Sequence, residues 1–141
     1  MAVTSESTTV WTGDLKSGSG SVTLDSSNAA QLPVTWKARS QGGGDVTTPE
    51  ELLGAAHAAC FSMAFSNILT EFGSAPESIR TTAAVTFDPA SGITGSHLTV
   101  QATVPGLSNE DFQRLADEAK SGCPVSRALV GIPITLDASL A

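Results

Sequence analysis

Thr47-Thr48-Pro49-Glu50-Glu51-Leu52-Leu53-Gly54-Ala55-Ala56-His57-Ala58-Ala59-Cys60-Phe61-Ser62-Met63 carries the signals that decide the fold. Thr48 suits an N-cap, because its hydroxyl can accept an otherwise orphaned N–H. Pro49 suits the first helical position, where its missing N–H costs nothing, and Glu51 falls at N3, where it would close a capping box. From Leu52 to Phe72 the chain reads as helix, and its first half is apolar or small nearly all the way round, the pattern of a buried helix rather than an amphipathic one. Ala55, Ala56, Ala58 and Ala59 would let a second helix approach closely, one from a symmetry mate included. Gly73 is placed to end the helix in the left-handed conformation.

Upstream, Thr8–Thr12 is rich in β-branched and aromatic residues and Ser21–Asp25 alternates. The Lys16-Ser17-Gly18-Ser19-Gly20 stretch between them predicts a hairpin. Leu32, Val34, Trp36 and Ala38 then alternate with polar neighbours, which predicts a strand that carries Arg39 on its polar side. Downstream, Ile79–Phe87 and His97–Val104, with Asp88-Pro89-Ala90-Ser91-Gly92 in the connection, predict an antiparallel pair. Leu107–Lys120 opens on the capping sequence Ser108-Asn109-Glu110-Asp111 and sets Phe112, Leu115, Ala116 and Ala119 on one face, a second and amphipathic helix. A short helix over Val125–Val130 and a last strand over Ile132–Leu136 complete an α+β pattern rather than a doubly wound parallel one.

The 141 residues, 40% of them hydrophobic, suffice for one domain with a substantial core. Seven basic against fourteen acidic side chains give a net charge of −7, which disfavours a nucleic acid or an anionic membrane as partner. No basic, then apolar, leader is visible at Met1–Thr8, and no stretch reads as the roughly 20 apolar residues of a membrane span, so a cytoplasmic protein is expected.

Only two cysteines occur. In a reducing compartment two thiols far apart in sequence suit a catalytic or transient pair better than a structural staple. Cys60 lies inside the long helix, where cysteine also serves as an ordinary small hydrophobe. Burial there favours the unreactive thiol, so a functional Cys60 needs a cation nearby. Of the seven basic residues Arg39 is the first choice and Arg127 the second. Cys123, in Ser121-Gly122-Cys123-Pro124, stands at a helix start, where the dipole favours a thiolate. His57, one turn before Cys60, would be the base of a Cys/His hydrolase or a core histidine. Together with His97 and the thiols it matches no zinc spacing, and no cofactor or metal is expected.

The Thr48–Met63 string, together with Cys123-Pro124-Val125-Ser126, resembles the OsmC/Ohr family of osmotically inducible and organic hydroperoxide resistance proteins. Trp11-Thr12-Gly13-Asp14-Leu15-Lys16, followed by Gly18 and Gly20, and the Ala-His-Ala-Ala-Cys-Phe-Ser-Met form of the helix are similar to the OsmC branch. The resemblance implies one OsmC-like domain over residues 1–141: an antiparallel sheet, a long buried central helix and an amphipathic second helix, in an intertwined homodimer. It further implies an antioxidant thiol peroxidase acting on organic hydroperoxides and more weakly on hydrogen peroxide. Cys60 would attack the peroxide, Cys123 would resolve the sulfenic acid as a redox-active disulfide, and a dithiol reductant would reopen it. The family's accompanying arginine and glutamate match Arg39 and Glu50.

Ten residues of straight helix correspond to about 15 Å of rise, too far for Glu50 and Cys60 of one helix to meet on one peroxide. Either the helix breaks at Gly54 or Glu50 serves the site of a second subunit; the second option is the expectation. The alternative to an enzyme is a non-catalytic module whose apolar pocket holds a lipid-like ligand. Phe61, Leu52 and Met63 are the residues expected to give the site an apolar wall.

Overall fold

The computed structural model describes every residue from Met1 to Ala141, and the chain divides into two compact units, Met1–Leu52 and Leu53–Ala141. In the first, strands Thr8–Thr12 (β1), Ser19–Thr23 (β2) and Gln31–Val34 (β3) form an antiparallel sheet in sequence order. Asp14 builds the expected hairpin turn: its Oδ1 accepts from the N–H groups of Lys16 and Ser17, both at 2.9 Å. Gly18 is required there, because a Cβ would stand 2.3 Å from the Asp14 carbonyl oxygen.

The expected strand through Arg39 stops at Val34. Thr35 caps a short helix, Trp36–Gln41 (α1), with its Oγ1 accepting from Ala38 N at 3.1 Å, and Gly42 closes it with φ +73. The two-residue alternation of Leu32 to Ala38 conceals this switch, since a cap acts through one hydroxyl and leaves no periodic trace. Ala38 is buried, and Arg39 therefore projects from a helix rather than a strand.

The long helix, Pro49–Phe72 (α2), starts at the end of the first unit, and its body belongs to the second. Thr48 Oγ1 accepts from Glu51 N at 3.0 Å as expected. The capping box is only half made, because Glu51 Oε2 accepts instead from Thr47 Oγ1 at 2.8 Å. The helix runs unbroken through Gly54. It ends at Gly73, whose φ is +100.

In the second unit, strands Ser78–Asp88 (β4) and Gly92–Thr103 (β5) pair antiparallel as expected. Helix Asn109–Gly122 (α3) and helix Pro124–Ala128 (α4) then lead to strand Ile134–Leu140 (β6). β6 pairs with β5 in parallel, from Ser96↔Ile134 to Ala102↔Leu140, so the sheet β4-β5-β6 is mixed rather than wholly antiparallel. The reason is the crossover: α3 and α4 return the chain to the start of β5 before the last strand begins. The architecture is α+β, with two three-stranded sheets and one long helix.

The core of this unit joins one stripe of α2 to the sheet and to α3. Phe61, Phe65 and Leu69 are fully buried with Leu98, Val100, Phe112, Ala116 and Ala119. Each large side chain contributes about 1.5–3 kcal/mol by leaving water. Phe65 meets Phe112 edge-on at 5.4 Å between centroids.

Within one chain the burial of α2 is one-sided, and the alanine face expected to receive a second helix is the uncovered one. Gly54, His57, Phe61, Phe65 and Leu69 face inward, whereas Ala55, Ala56, Ala59 and Met63 are exposed in the single chain. By length and composition α2 also passes as a membrane span, contrary to the expectation that no stretch would. Its apolarity has a packing cause on the inward stripe, and its exposed face is alanine-rich.

Candidate active site

The four residues singled out from the sequence fall into two pairs, one in each unit. In the first unit Arg39 of α1 meets Glu50 of the first turn of α2: Nε and Nη2 both donate to Glu50 Oε1, at 3.0 and 2.8 Å. The Glu50 side chain is nearly buried at 6% exposure, while that of Arg39 keeps 32%. A carboxylate buried to this degree needs a charge partner. Two donors on one oxygen also fix the plane of the guanidinium.

In the second unit Cys60 of α2 and Cys123, the N-cap of α4, are free thiols close enough for each to shift the other's proton affinity. Cys60 is half-buried and Cys123 fully buried. Cys60 Sγ accepts from Val125 N at 3.5 Å. Cys123 Sγ accepts from Ser126 N at 3.4 Å and from Ser126 Oγ at 3.5 Å. Pro124 starts α4 at its first turn, which carries the N–H groups of Val125 and Ser126 to the two sulfurs.

These contacts set the two thiols apart. Burial pushes the Cys60 thiol up; the Val125 N–H opposes this, and the adjoining Cys123 adds to the rise. Burial also acts to raise Cys123, but the Ser126 hydroxyl and N–H, with Cys60 and Val125, outweigh it and bring that thiol down. Burial and the neighbouring thiol thus disfavour the Cys60 thiolate, which a nearby cation would offset.

His57 does not serve Cys60. Its ring is fully buried, with Nδ1 at 2.7 Å from Ser96 Oγ and Nε2 at 2.7 Å from Ser126 Oγ. Burial holds its pKa down and the ring neutral. The Cys/His hydrolase arrangement thus lacks its base, and the histidine reaches the thiols only by way of Ser126. Sequence reasoning assigns Ser126 no role beyond its place in the Cys-Pro-Val-Ser motif and does not find Ser96. The one signal for Ser126 was its place three residues after a cysteine that caps a helix. Phe61, expected in the wall of a substrate site, belongs to the core, whereas Leu52 lines a groove in the first unit with Trp11, Leu15 and Trp36. Met63 is exposed. Arg127, the second choice of cation, lies in the last turn of α4.

A family model described as OsmC-like protein matches residues 42–137. The chain is 45% identical over 133 residues to a protein of Escherichia coli strain K12 named Peroxiredoxin OsmC, covering 92% of each. It is 34% identical over 101 residues to the Organic hydroperoxide resistance protein of Xanthomonas axonopodis pv. citri, covering 67% of this chain and 68% of that one. In fold it matches the crystal structure of an OsmC-like protein from Mycoplasma pneumoniae with a TM-score of 0.71 and 18% identity, covering 100% of this chain and 99% of the other. With a family match over most of its length and a relative this similar over nearly all of it, the chain belongs to the OsmC family.

Proposed function

We propose that this protein is a cysteine-based peroxidase that reduces organic hydroperoxides, and hydrogen peroxide more weakly, as part of a response to oxidative stress. The observation that carries this is the pair of free thiols, one half-buried and one fully buried, close enough to shift each other's proton affinity and with separate N–H donors from one helical turn. The names of the relatives, a peroxiredoxin and an organic hydroperoxide resistance protein, support the same chemistry.

The Cys60 thiolate attacks the terminal peroxide oxygen; the O–O bond breaks, the alcohol leaves with a proton, and Cys60 becomes a sulfenic acid. Cys123 then attacks Cys60 Sγ, the S–O bond breaks, and the hydroxide departs as water with the proton that Cys123 releases. A dithiol reductant attacks the Cys60–Cys123 disulfide, breaks its S–S bond through a mixed disulfide and leaves as a disulfide itself, returning both cysteines to thiols.

Arg39 supplies the cation that Cys60 requires, and Glu50 aims the guanidinium. Because α2 is continuous through Gly54, the arrangement with Glu50 acting on a second subunit is preferred. The exposed Ala55, Ala56 and Ala59, beside Met63, offer a face suited to a homodimer of 141-residue OsmC-like domains in the cytoplasm. No cofactor is required.

The test is to treat the reduced protein with cumene hydroperoxide and record its intact mass. Loss of two hydrogens, with a Cys60–Cys123 cross-linked peptide in the digest, is the expected result; slow addition of oxygen without a cross-link would overturn the mechanism. The second reading, an apolar-ligand module, draws on the groove of about 670 Å³ lined by Trp11, Leu15, Val22, Val34 and Trp36. It predicts fatty-acid binding that survives replacement of both cysteines.

A further inference from the structure

The buried histidine is the group that the peroxidase chemistry leaves without a task, and its surroundings specify one. Ser126 Oγ lies 3.5 Å from Cys123 Sγ, within donor reach, and a hydroxyl has one proton to give. The same Oγ lies 2.7 Å from His57 Nε2; with its proton on the sulfur it accepts there, and Nε2 carries the ring proton. A neutral ring protonated on Nε2 leaves Nδ1 as an acceptor, and Ser96 Oγ, 2.7 Å away, donates to it. Ser96 is itself held in place: its N–H donates to Pro133 O at 3.0 Å and the residue is nearly fully buried at 2% exposure.

We propose that His57 is a positioning residue for the resolving cysteine: the one-way hydrogen-bond chain Ser96→His57→Ser126→Cys123 turns the Ser126 hydroxyl proton onto Cys123 Sγ. Reversing the ring tautomer would reverse the chain. With the proton on Nδ1, Nε2 accepts from Ser126 Oγ, and the hydroxyl can no longer donate to the sulfur. The chain acts twice in the cycle. It stabilises Cys123 as the thiolate that attacks the sulfenic acid, and again as the leaving thiolate when a reductant attacks the more accessible Cys60 sulfur of the disulfide. In the resolving step the proton that leaves Cys123 ends in the water formed from the departing hydroxide, so His57 neither gains nor loses a proton overall.

This role rests on the peroxidase reading for its purpose, but its test does not. In Cys60→Ser the only thiol is Cys123, and the chain contains no tyrosine to mask thiolate absorbance in the ultraviolet. Titrating that absorbance in the Cys60→Ser background should show the Cys123 midpoint rising by roughly one pH unit in His57→Leu and in Ser126→Ala. His57→Gln, whose amide can donate to Ser126 and accept from Ser96, should restore it. If His57→Leu fails to fold, Ser126→Ala and His57→Gln decide the matter. Unchanged midpoints in the folded variants, or a His57→Gln midpoint raised as far as that of Ser126→Ala, would overturn the proposal. No peroxide enters the titration, so a failed peroxidase assay and a failed hydrogen-bond chain are read separately.

Discussion

Gly54 lies against the carbonyl of Ala83 so closely that a Cβ on it would stand 2.9 Å from that oxygen. The helix and the middle of β4 touch here backbone to backbone. Gly54→Ala gains about 1 kcal/mol of helix propensity, but it must push α2 off the strand, which costs about 1–3 kcal/mol. A net loss of up to about 2 kcal/mol is expected and would appear as a lower urea midpoint at unchanged slope.

The two cysteines should fail differently. Cys60→Ser should abolish peroxide consumption under excess dithiol. Cys123→Ser should complete a single turnover and accumulate a sulfenic acid that dimedone traps and excess peroxide over-oxidises. Stopped-flow peroxide consumption with mass spectrometry separates the two, and full steady-state activity in Cys123→Ser would count against a resolving role.

The Arg39–Glu50 pair makes a prediction about subunits. Glu50→Gln weakens the hold on the guanidinium and should lower the peroxide rate by about 10–100-fold. If the site is shared, mixing inactive Cys60→Ser with impaired Glu50→Gln and allowing subunit exchange should restore about a quarter of the wild-type sites. In the mixed dimer one site receives both intact parts and the other receives neither. No recovery after proven exchange would return Glu50 to its own chain.

Acid should destabilise the fold through His57. Its pKa is held below the ordinary 6.5 by burial, so the unfolded chain binds a proton at higher pH than the folded one. Stability from this source is complete above about pH 6.5 and is lost as the pH falls through 6.5 toward the folded value. Urea midpoints should decline across that window for the wild type and decline less for His57→Gln.

The boundaries of the longer helices could be read from local signals. Thr48 and Pro49 started α2, Gly73 ended it, and Ser108 capped α3, because caps and periodic stripes are written within a few residues. The cysteine pair was legible through its motifs. Arg39 was legible as a residue yet misplaced on a strand, since the Thr35 cap interrupts an alternation that continues on paper. The parallel pairing of β6 and the hydrogen bonds from His57 to Ser96 and Ser126 bring together residues 38 to 69 positions apart, which no local pattern encodes. The one-sided exposure of α2 was also hidden, because an alanine-rich face looks the same to a period count whether it meets a neighbour or water.

The crossover that makes β6 parallel is closed by the last part of the chain to be made. A ribosome delivers Cys60 on α2 well before Cys123, and Pro133, whose carbonyl holds the Ser96 N–H, comes later still. During synthesis Cys60 is thus present before Cys123 and before the serine-histidine chain beside it. On the proposed mechanism, an oxidant met at that stage would find a thiol able to be oxidised with no second thiol to recover it. Recovery by a disulfide would then begin only once the last crossover has closed.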